Sequence, residues 1–454
     1  MQYSTFAAID IGSYDVILEI FEISKKQGIR SVDKICHRME LGKDTYTLGK
    51  IRPEMEEELC RVLADFVRIM EGYRVDDYRA TASSAISEAS NSLYVLGKIH
   101  QLTGLSVTVL SNSEQRFLSY KALAAMEDNF NKIIEKGTAI LDLDGGSFQI
   151  SLFDKDALVT TQNIRMGSLR IRERLAGIQS ETEHYEEMVE ELIWNEVSSF
   201  KKMYLKDRKI ENIMLIGDVF TDSVYQNIEE KTTKIISREN FNTWYEKIIR
   251  QSPMELAVKL GIPLENASLM YPSAVIYKCL IDMMGAEHIW IPGVHMTRGI
   301  AYEYAEQMKL LKGGHNFEND ILMAAKNIGK RYAVNRPHVQ NLEMTALAMF
   351  DATKKMHGMK ERERLLLQMA VMLHDVGKYI SFNNVADSSY NIIMSNEIIG
   401  LSHIEREMVA LIARYNTVTL PSYDELVMES SLSAEQYLTV SELTAIVRLA
   451  NALD

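Results

Sequence analysis

The sequence predicts a duplicated α/β fold followed by an all-α part, and three observations carry that prediction. Residues 138–153 run as an apolar strand that reaches Asp142, a tight turn through Gly145, Gly146 and Ser147, and a second alternating strand. Residues 6–21 repeat the layout with Asp10, then a turn through Gly12 and Ser13, then a strand. From Glu318 onward only helical periodicity is found. Glycines in such turns let backbone N–H groups approach an anion closely, so each half carries a candidate phosphate-holding hairpin.

The elements follow in order. Residues 5–45 read as a β-meander, turned at Lys25–Gly28. Residues 54–70 place Leu59, Val62, Leu63, Phe66, Ile69 and Met70 at helical spacing. Residues 78–81 are a strand running into a polar turn at 82–91. Residues 105–110 form a short strand, and a helix begins within 111–116, with Ser113 as its cap and Glu114 in the first turn, where it suits the helix dipole. The second half repeats the plan with strands at 138–143, 148–153 and 157–163, and a turn at 166–168 leads into a helix. A long amphipathic helix spans 185–203 and a buried strand runs from Asn212 to Gly217. Helices follow to about Met284, then a strand at 288–292 and a helix from Arg298. Alternating β and α predicts mixed sheets covered by helices. Lys312–Gly314 is the expected hinge.

Bulk properties narrow the function. The 454 residues suggest roughly two to four domains. No apolar run reaches the ~18 residues of a membrane span. Met1–Thr5 enters a strand with no charged leader, so no signal peptide is expected. Three scattered cysteines (Cys36, Cys60, Cys279) fit buried thiols of a cytoplasmic protein. A net charge of −13 argues against broad nucleic-acid binding but leaves room for a phosphate polyanion offset by metal ions. Lysines and arginines at 201–209 and 326–331 are either a polyanion path or solvated helix faces.

In order and spacing, these motifs resemble the exopolyphosphatase/guanosine-pentaphosphate phosphatase family, a branch of the actin-like fold. The family's Ile-Asp-Ile-Gly-Ser opening is Ile9–Ser13. Its Ala-Thr-Ser-Ala signature is matched at 82–91, its Glu–small–Arg motif at Glu114-Gln115-Arg116, and its glycine-rich loop at 142–149. Gly167 to Arg170 resembles its Gly-x-x-Arg element, and Arg298-Gly299 its last helix start.

The resemblance implies a duplicated actin-like (ribonuclease H-like) core, subdomain I at 1–125 and subdomain II at 126–312, with the helix near 298–310 packing on subdomain I. It implies Mg²⁺-dependent water attack on a terminal phosphoanhydride of polyphosphate or guanosine pentaphosphate, in a homodimer with no membrane partner. Glu114 would be the general base, Asp10 and Asp142 the Mg²⁺ ligands, and Gly12, Ser13, Gly145, Gly146, Ser147 and Arg170 the phosphate-binding residues. Three positions depart from the pattern. Gln149 replaces a second acid, Asp144 replaces the loop's first glycine, and Ser87 replaces an arginine. The turn after Gly217, Asp218–Thr221, also lacks the glycines of a nucleotide-base pocket. A non-catalytic sensor of phosphorylated nucleotides therefore stands as the alternative.

Residues 313–454 resemble an HD phosphohydrolase domain through Arg336-Pro-His338 and Leu373-His374-Asp375-Val-Gly-Lys378. That resemblance implies a metal site at His338, His374 and Asp375, and a possible nucleotide phosphohydrolase. Its last aspartate falls at Asn451, with Asp454 three residues on, and residues 386–390 lack a histidine cluster, which favours a structural role. His295 and His403 read as ordinary histidines.

Overall fold

In the computed structural model, which describes residues 3–126, 130–176, 185–227, 234–311 and 315–453, each hairpin heads its own sheet. The first sheet is built from β1 (Ser4–Ile11), β2 (Asp15–Ser24), β3 (Gly28–Arg38), β4 (Asp77–Ala82) and β5 (Val107–Val109). Its order is β3-β2-β1-β4-β5. The second is built from β6 (Thr138–Leu143), β7 (Phe148–Asp154), β8 (Ala157–Ile164), β9 (Asn212–Ile216), β10 (Ile235–Ser237) and β11 (His288–Trp290). Its order, read from the matching edge, is β8-β7-β6-β9-β11-β10.

The duplication reaches the register. β1 pairs antiparallel with β2 and parallel with β4, setting Asp10 opposite Ile17 and Thr81. β6 pairs antiparallel with β7 and parallel with β9, setting Asp142 opposite Gln149 and Ile216. Both aspartates are the penultimate residues of their strands. Central strands covered on both faces must be apolar throughout, and β6 and β9 are buried along their whole length.

Two compact units are present. One is Met1–Asp156 with Thr161–His315, and the other is Ala157–Thr160 with Asn316–Asp454. In the first, the helix Met296–Gln307 packs on β1 and on the helix Asn112–Met126. Phe6, Ala8, Leu118, Ile300 and Tyr304 form the shared core, with Phe6 stacked on Tyr304 at 4.1 Å. Close approach of the two helices requires Gly299, because a Cβ there would lie 1.9 Å from the Leu118 carbonyl oxygen.

Three expectations need correction. β-structure stops at Arg38, and Leu41–Leu48 is a helix closed by Gly49 in the left-handed region. The stretch read as helical up to Met284 contains β10, a three-residue strand held by pairing with β11. The helix expected over 185–203 runs Tyr185–Phe200 and continues as a π-turn, Lys201–Leu205. The expected hinge Lys312–Gly314 and the terminal Asp454 lie outside the described residues.

The second unit is helical, with Phe317–Arg331, Arg336–His357, Glu361–Leu373, Val385–Ser395, His403–Arg414 and Ala434–Leu453 as its main elements. No strand occurs among its described residues after Asn316. Its buried face is apolar at helical spacing, for example Leu365, Leu366, Met369 and Leu373. Among the described residues, no helix is long and apolar enough to cross a membrane.

Candidate active site

The ends of β1, β6 and β9 open onto one cavity of about 390 Å³ in the first unit. Asp10, Gly12, Ser13, Asp142, Asp144, Gly145, Arg116 and Asp218 line it. The two strand–Asp–turn units of the sequence therefore meet at one place.

Asp10 is half-buried, and its Oδ1, shielded from solvent, has no hydrogen-bond partner. Burial pushes its carboxyl up to about 8, Asp15, Asp144 and Asp142 add to the rise, and Arg116 opposes it. Such a group stays protonated near neutral pH unless a cation arrives. Asp142 is ion-paired, its Oδ1 lying 2.9 Å from an Arg116 guanidinium nitrogen, while Oδ2 has no hydrogen-bond partner. Burial raises its pKa and Arg116 pulls it back. Opposite it in register, Gln149 also carries a buried oxygen, Oε1, without a partner.

Arg116, on the helix Asn112–Met126, is 4% exposed. Burial disfavours its charge, but Asp142 and Asp144 more than reverse that and raise its pKa. The same guanidinium donates to Asp144 Oδ2 at 2.6 Å and to Ser147 Oγ at 3.0 Å. Asp144 Oδ1 accepts from the amides of Gly146 at 2.6 Å and Ser147 at 2.8 Å. Two of the amides expected to hold phosphate thus point at the chain's own carboxylate.

The other expected phosphate ligands are held as follows. The Gly12 amide donates to the Asp15 carbonyl at 2.8 Å. Ser13 Oγ sits 2.7 Å from Tyr46 Oη and 3.2 Å from Ser84 Oγ, and Tyr46 and Ser84 are 2.9 Å apart, which closes a ring of three hydroxyls. Burial first, and Asp144 next, push the Tyr46 phenol up to about 12. A Cβ on Gly146 would lie 2.2 Å from Tyr46 Oη and 2.7 Å from Ser84 Oγ, so a larger residue there would have to displace the hydroxyl ring. Arg170 clamps the loop from outside the cavity. Its Nε donates to the Gly146 carbonyl at 2.9 Å, it pairs with Glu88 at 3.0 Å, and its guanidinium lies 3.8 Å over the Tyr46 ring.

Glu114 is not among the residues lining the cavity. Its Oε2 accepts from Ser111 N at 2.9 Å and Ser111 Oγ at 2.7 Å, and the Glu114 amide donates back to Ser111 Oγ at 3.3 Å. This is a reciprocal capping box, so Ser111, not Ser113, caps the helix. The next two residues, Gln115 and Arg116, do face the cavity.

Asp218 escaped the sequence reading. It follows Gly217, whose φ of +106° suits glycine and whose open Cα lies against Asp142 Oδ1, which a Cβ would meet at 2.6 Å. Asp218 Oδ1 accepts from the Thr221 amide at 3.1 Å and from the Tyr277 hydroxyl at 3.3 Å, while Oδ2 has no partner. Burial pushes the carboxyl up to about 7, with Asp222 adding to the rise. The sequence offers only an apolar strand followed by Gly217-Asp218, which reverses the Asp-then-Gly order of the two hairpins.

Asp10, Asp142 and Asp218 each hold a buried carboxylate oxygen without a partner in this cavity. Hard oxygen donors that lack hydrogen bonds and sit in excess over local cations fit a divalent cation such as Mg²⁺.

In the helical unit, the ligand atoms of His338, His374 and Asp375 lie within 4.8 Å of one another. His374 is buried, and its Nδ1 is 2.8 Å from the Val371 carbonyl. That contact puts the proton on Nδ1 and leaves Nε2, 3.3 Å from His338 Nε2, as the lone-pair nitrogen. Burial lowers the His374 pKa, which keeps it in the ligating form. The triad opens onto a cavity of about 650 Å³ that also contains Lys378, Arg414 and Asn451.

Comparison with known proteins agrees with this architecture. The Ppx/GppA phosphatase family matches residues 20–308, and domain III of Ppx/GppA phosphatase matches 322–454. The β1 turn at Asp10–Ser13 precedes the matched stretch. A guanosine-5'-triphosphate,3'-diphosphate pyrophosphatase of Vibrio atlanticus is 18% identical over 97% of this chain and 86% of its own length. A bifunctional 3-dehydroquinate synthase/phosphatase of Fusobacterium nucleatum is 21% identical over 62% of this chain, which spans 44% of that protein. An exopolyphosphatase structure from Cytophaga hutchinsonii superposes with a TM-score of 0.60 at 17% identity, covering 67% of this chain and 98% of that one. Family models that account for most of the chain, and a shared duplicated two-sheet core, place this protein in the Ppx/GppA phosphatase family, a family of hydrolases.

Proposed function

We propose that the first unit hydrolyses a terminal phosphoanhydride bond of polyphosphate or guanosine pentaphosphate. The observation that carries this reading is the convergence of two Asp–Gly turns and three partnerless carboxylate oxygens on one cavity. Asp10 and Asp142 would hold Mg²⁺, with Asp218 beside them. When bound, the cation offsets charge on the phosphoryl oxygens. In this reading a water attacks the terminal phosphorus, the bridging P–O bond breaks, and the water's proton passes to a carboxylate. The family resemblance gives that role to Glu114, whose Ser111 bonds both fall on Oε2, while Asp218 is the carboxylate that itself lines the cavity.

Orthophosphate release from polyphosphate of several lengths and from guanosine pentaphosphate, with and without Mg²⁺, tests the reading. Mg²⁺-dependent release is expected, and Glu114→Gln should lower kcat by about 10²–10⁴. If Asp218→Asn takes that loss while Glu114→Gln is active, the base is Asp218. No release from any phosphoanhydride sinks the reading, and saturable nucleotide binding without release marks a sensor.

A second reading rests on the helical unit. The close approach of His338, His374 and Asp375 supports a divalent-metal site of HD type.

A further inference from the structure

We infer that Asp144 is a built-in occupant of the phosphoryl seat in the β6–β7 turn, and that it sets how tightly this site takes a phosphate chain. The inference rests on the proposed phosphatase reading and deepens it. Three donors converge on this one carboxylate: the amides of Gly146 and Ser147 on Oδ1, and the Arg116 guanidinium on Oδ2, all at 2.6–2.8 Å. Two backbone N–H groups and a buried guanidinium are the set that recognises a phosphoryl group. Here an internal anion already satisfies all three.

The seat is fixed, but its occupant is not walled in. The turn is held on one side by Arg170 on the Gly146 carbonyl and on the other by the Arg170 amide on the Gly145 carbonyl, at 2.9 Å each. Gly146 is pressed against Tyr46. The Asp144 side chain is 21% exposed and lines the cavity. It can therefore leave the seat by side-chain rotation while the amides stay in place. A phosphate chain must displace it, and the fraction of time the seat is open multiplies the apparent affinity.

This separates from simple charge repulsion. Asparagine at 144 removes the charge but keeps an oxygen that accepts from Gly146 and Ser147. Alanine removes both the charge and the acceptor without adding a Cβ. If occupancy matters, the two variants differ. If only charge matters, they behave alike. If the carboxylate serves only as a turn-stabilising acceptor, alanine destabilises the loop and gains no affinity.

The test is calorimetric titration of the full chain with inorganic tripolyphosphate in the presence of Mg²⁺. Wild type, Asp144→Asn and Asp144→Ala are compared, with far-ultraviolet circular dichroism and melting to confirm folding. Asp144→Ala should bind about tenfold tighter or more, and Asp144→Asn less than about threefold tighter. A folded Asp144→Ala that binds no tighter than wild type overturns the inference. So does a tenfold gain in Asp144→Asn, a result that stands even if the alanine variant fails to fold. These outcomes leave the phosphatase reading intact, because wild type still binds. Absence of tripolyphosphate binding in every variant would instead remove that reading, and the inference with it.

Discussion

Asp10 ionises at a cost, because burial and three neighbouring carboxylates act against a single guanidinium. Its folded pKa is raised from 3.8 to about 8. The stability linked to this group is therefore fully present below about pH 4 and is lost as pH rises through about 8. Asp10→Asn should melt later than wild type in metal-free buffer, with a gap that widens from pH 4 to pH 8 and reaches on the order of 1–3 kcal/mol. Mg²⁺ should raise the wild-type melting temperature more at pH 8 than at pH 5 and do little for the variant. A gap that is flat with pH would refute the assignment. Asp10 and Asp142 were legible in the sequence because each ends an apolar run beside glycines. Asp218 was not, since its turn, Asp218–Thr221, carries no glycine after the aspartate and only the parallel pairing of β9 with β6 brings it to the cavity. Nor could the sequence tell that Asp144 would fold back onto Gly146 and Ser147, which is a matter of side-chain torsion.

At the level of elements, the helix Asn112–Met126 links chemistry to packing. One end presents Arg116 to the cavity, and Leu118 lies against the helix Met296–Gln307. Gly299→Ala should push the two helices apart, since the clash is with backbone and cannot be relieved by a rotamer. A loss of roughly 1–3 kcal/mol in denaturant unfolding is expected, with a fall in affinity for tripolyphosphate as Arg116 shifts. An unchanged unfolding midpoint would show that the contact carries no weight. Long, periodic elements such as Pro53–Tyr73 were read from spacing alone. β10 was not, because three residues lack a period and its pairing with β11 crosses more than fifty positions. The cap was misassigned by two residues, since Ser111 and Ser113 are both good caps and only the Ser111–Glu114 reciprocity decides between them.

For the molecule as a whole, the proposed hydrolytic site and the proposed metal triad fall in different units, so each can be tested by itself. His374→Ala should abolish metal uptake by the triad, read as loss of one bound Mn²⁺ or Zn²⁺ per chain, while orthophosphate release by the first unit persists. Loss of all release would move the hydrolytic site to the helical unit. The change from mixed sheets to helices was plain in the sequence, because period-2 runs cease before Glu318. The inclusion of Ala157–Thr160 with the helical unit was not, because nothing in those four residues marks them off from the strand they begin. The matched strand orders have an ancestral consequence. Each half supplies one penultimate aspartate and one glycine turn, at the same place in the same register. A forebear consisting of one such half would have owned half a cleft, and could have built a whole one only by meeting its twin. Two copies in one chain can differ without giving up the cleft, and here one turn carries Asp144 while the other carries a ring of hydroxyls.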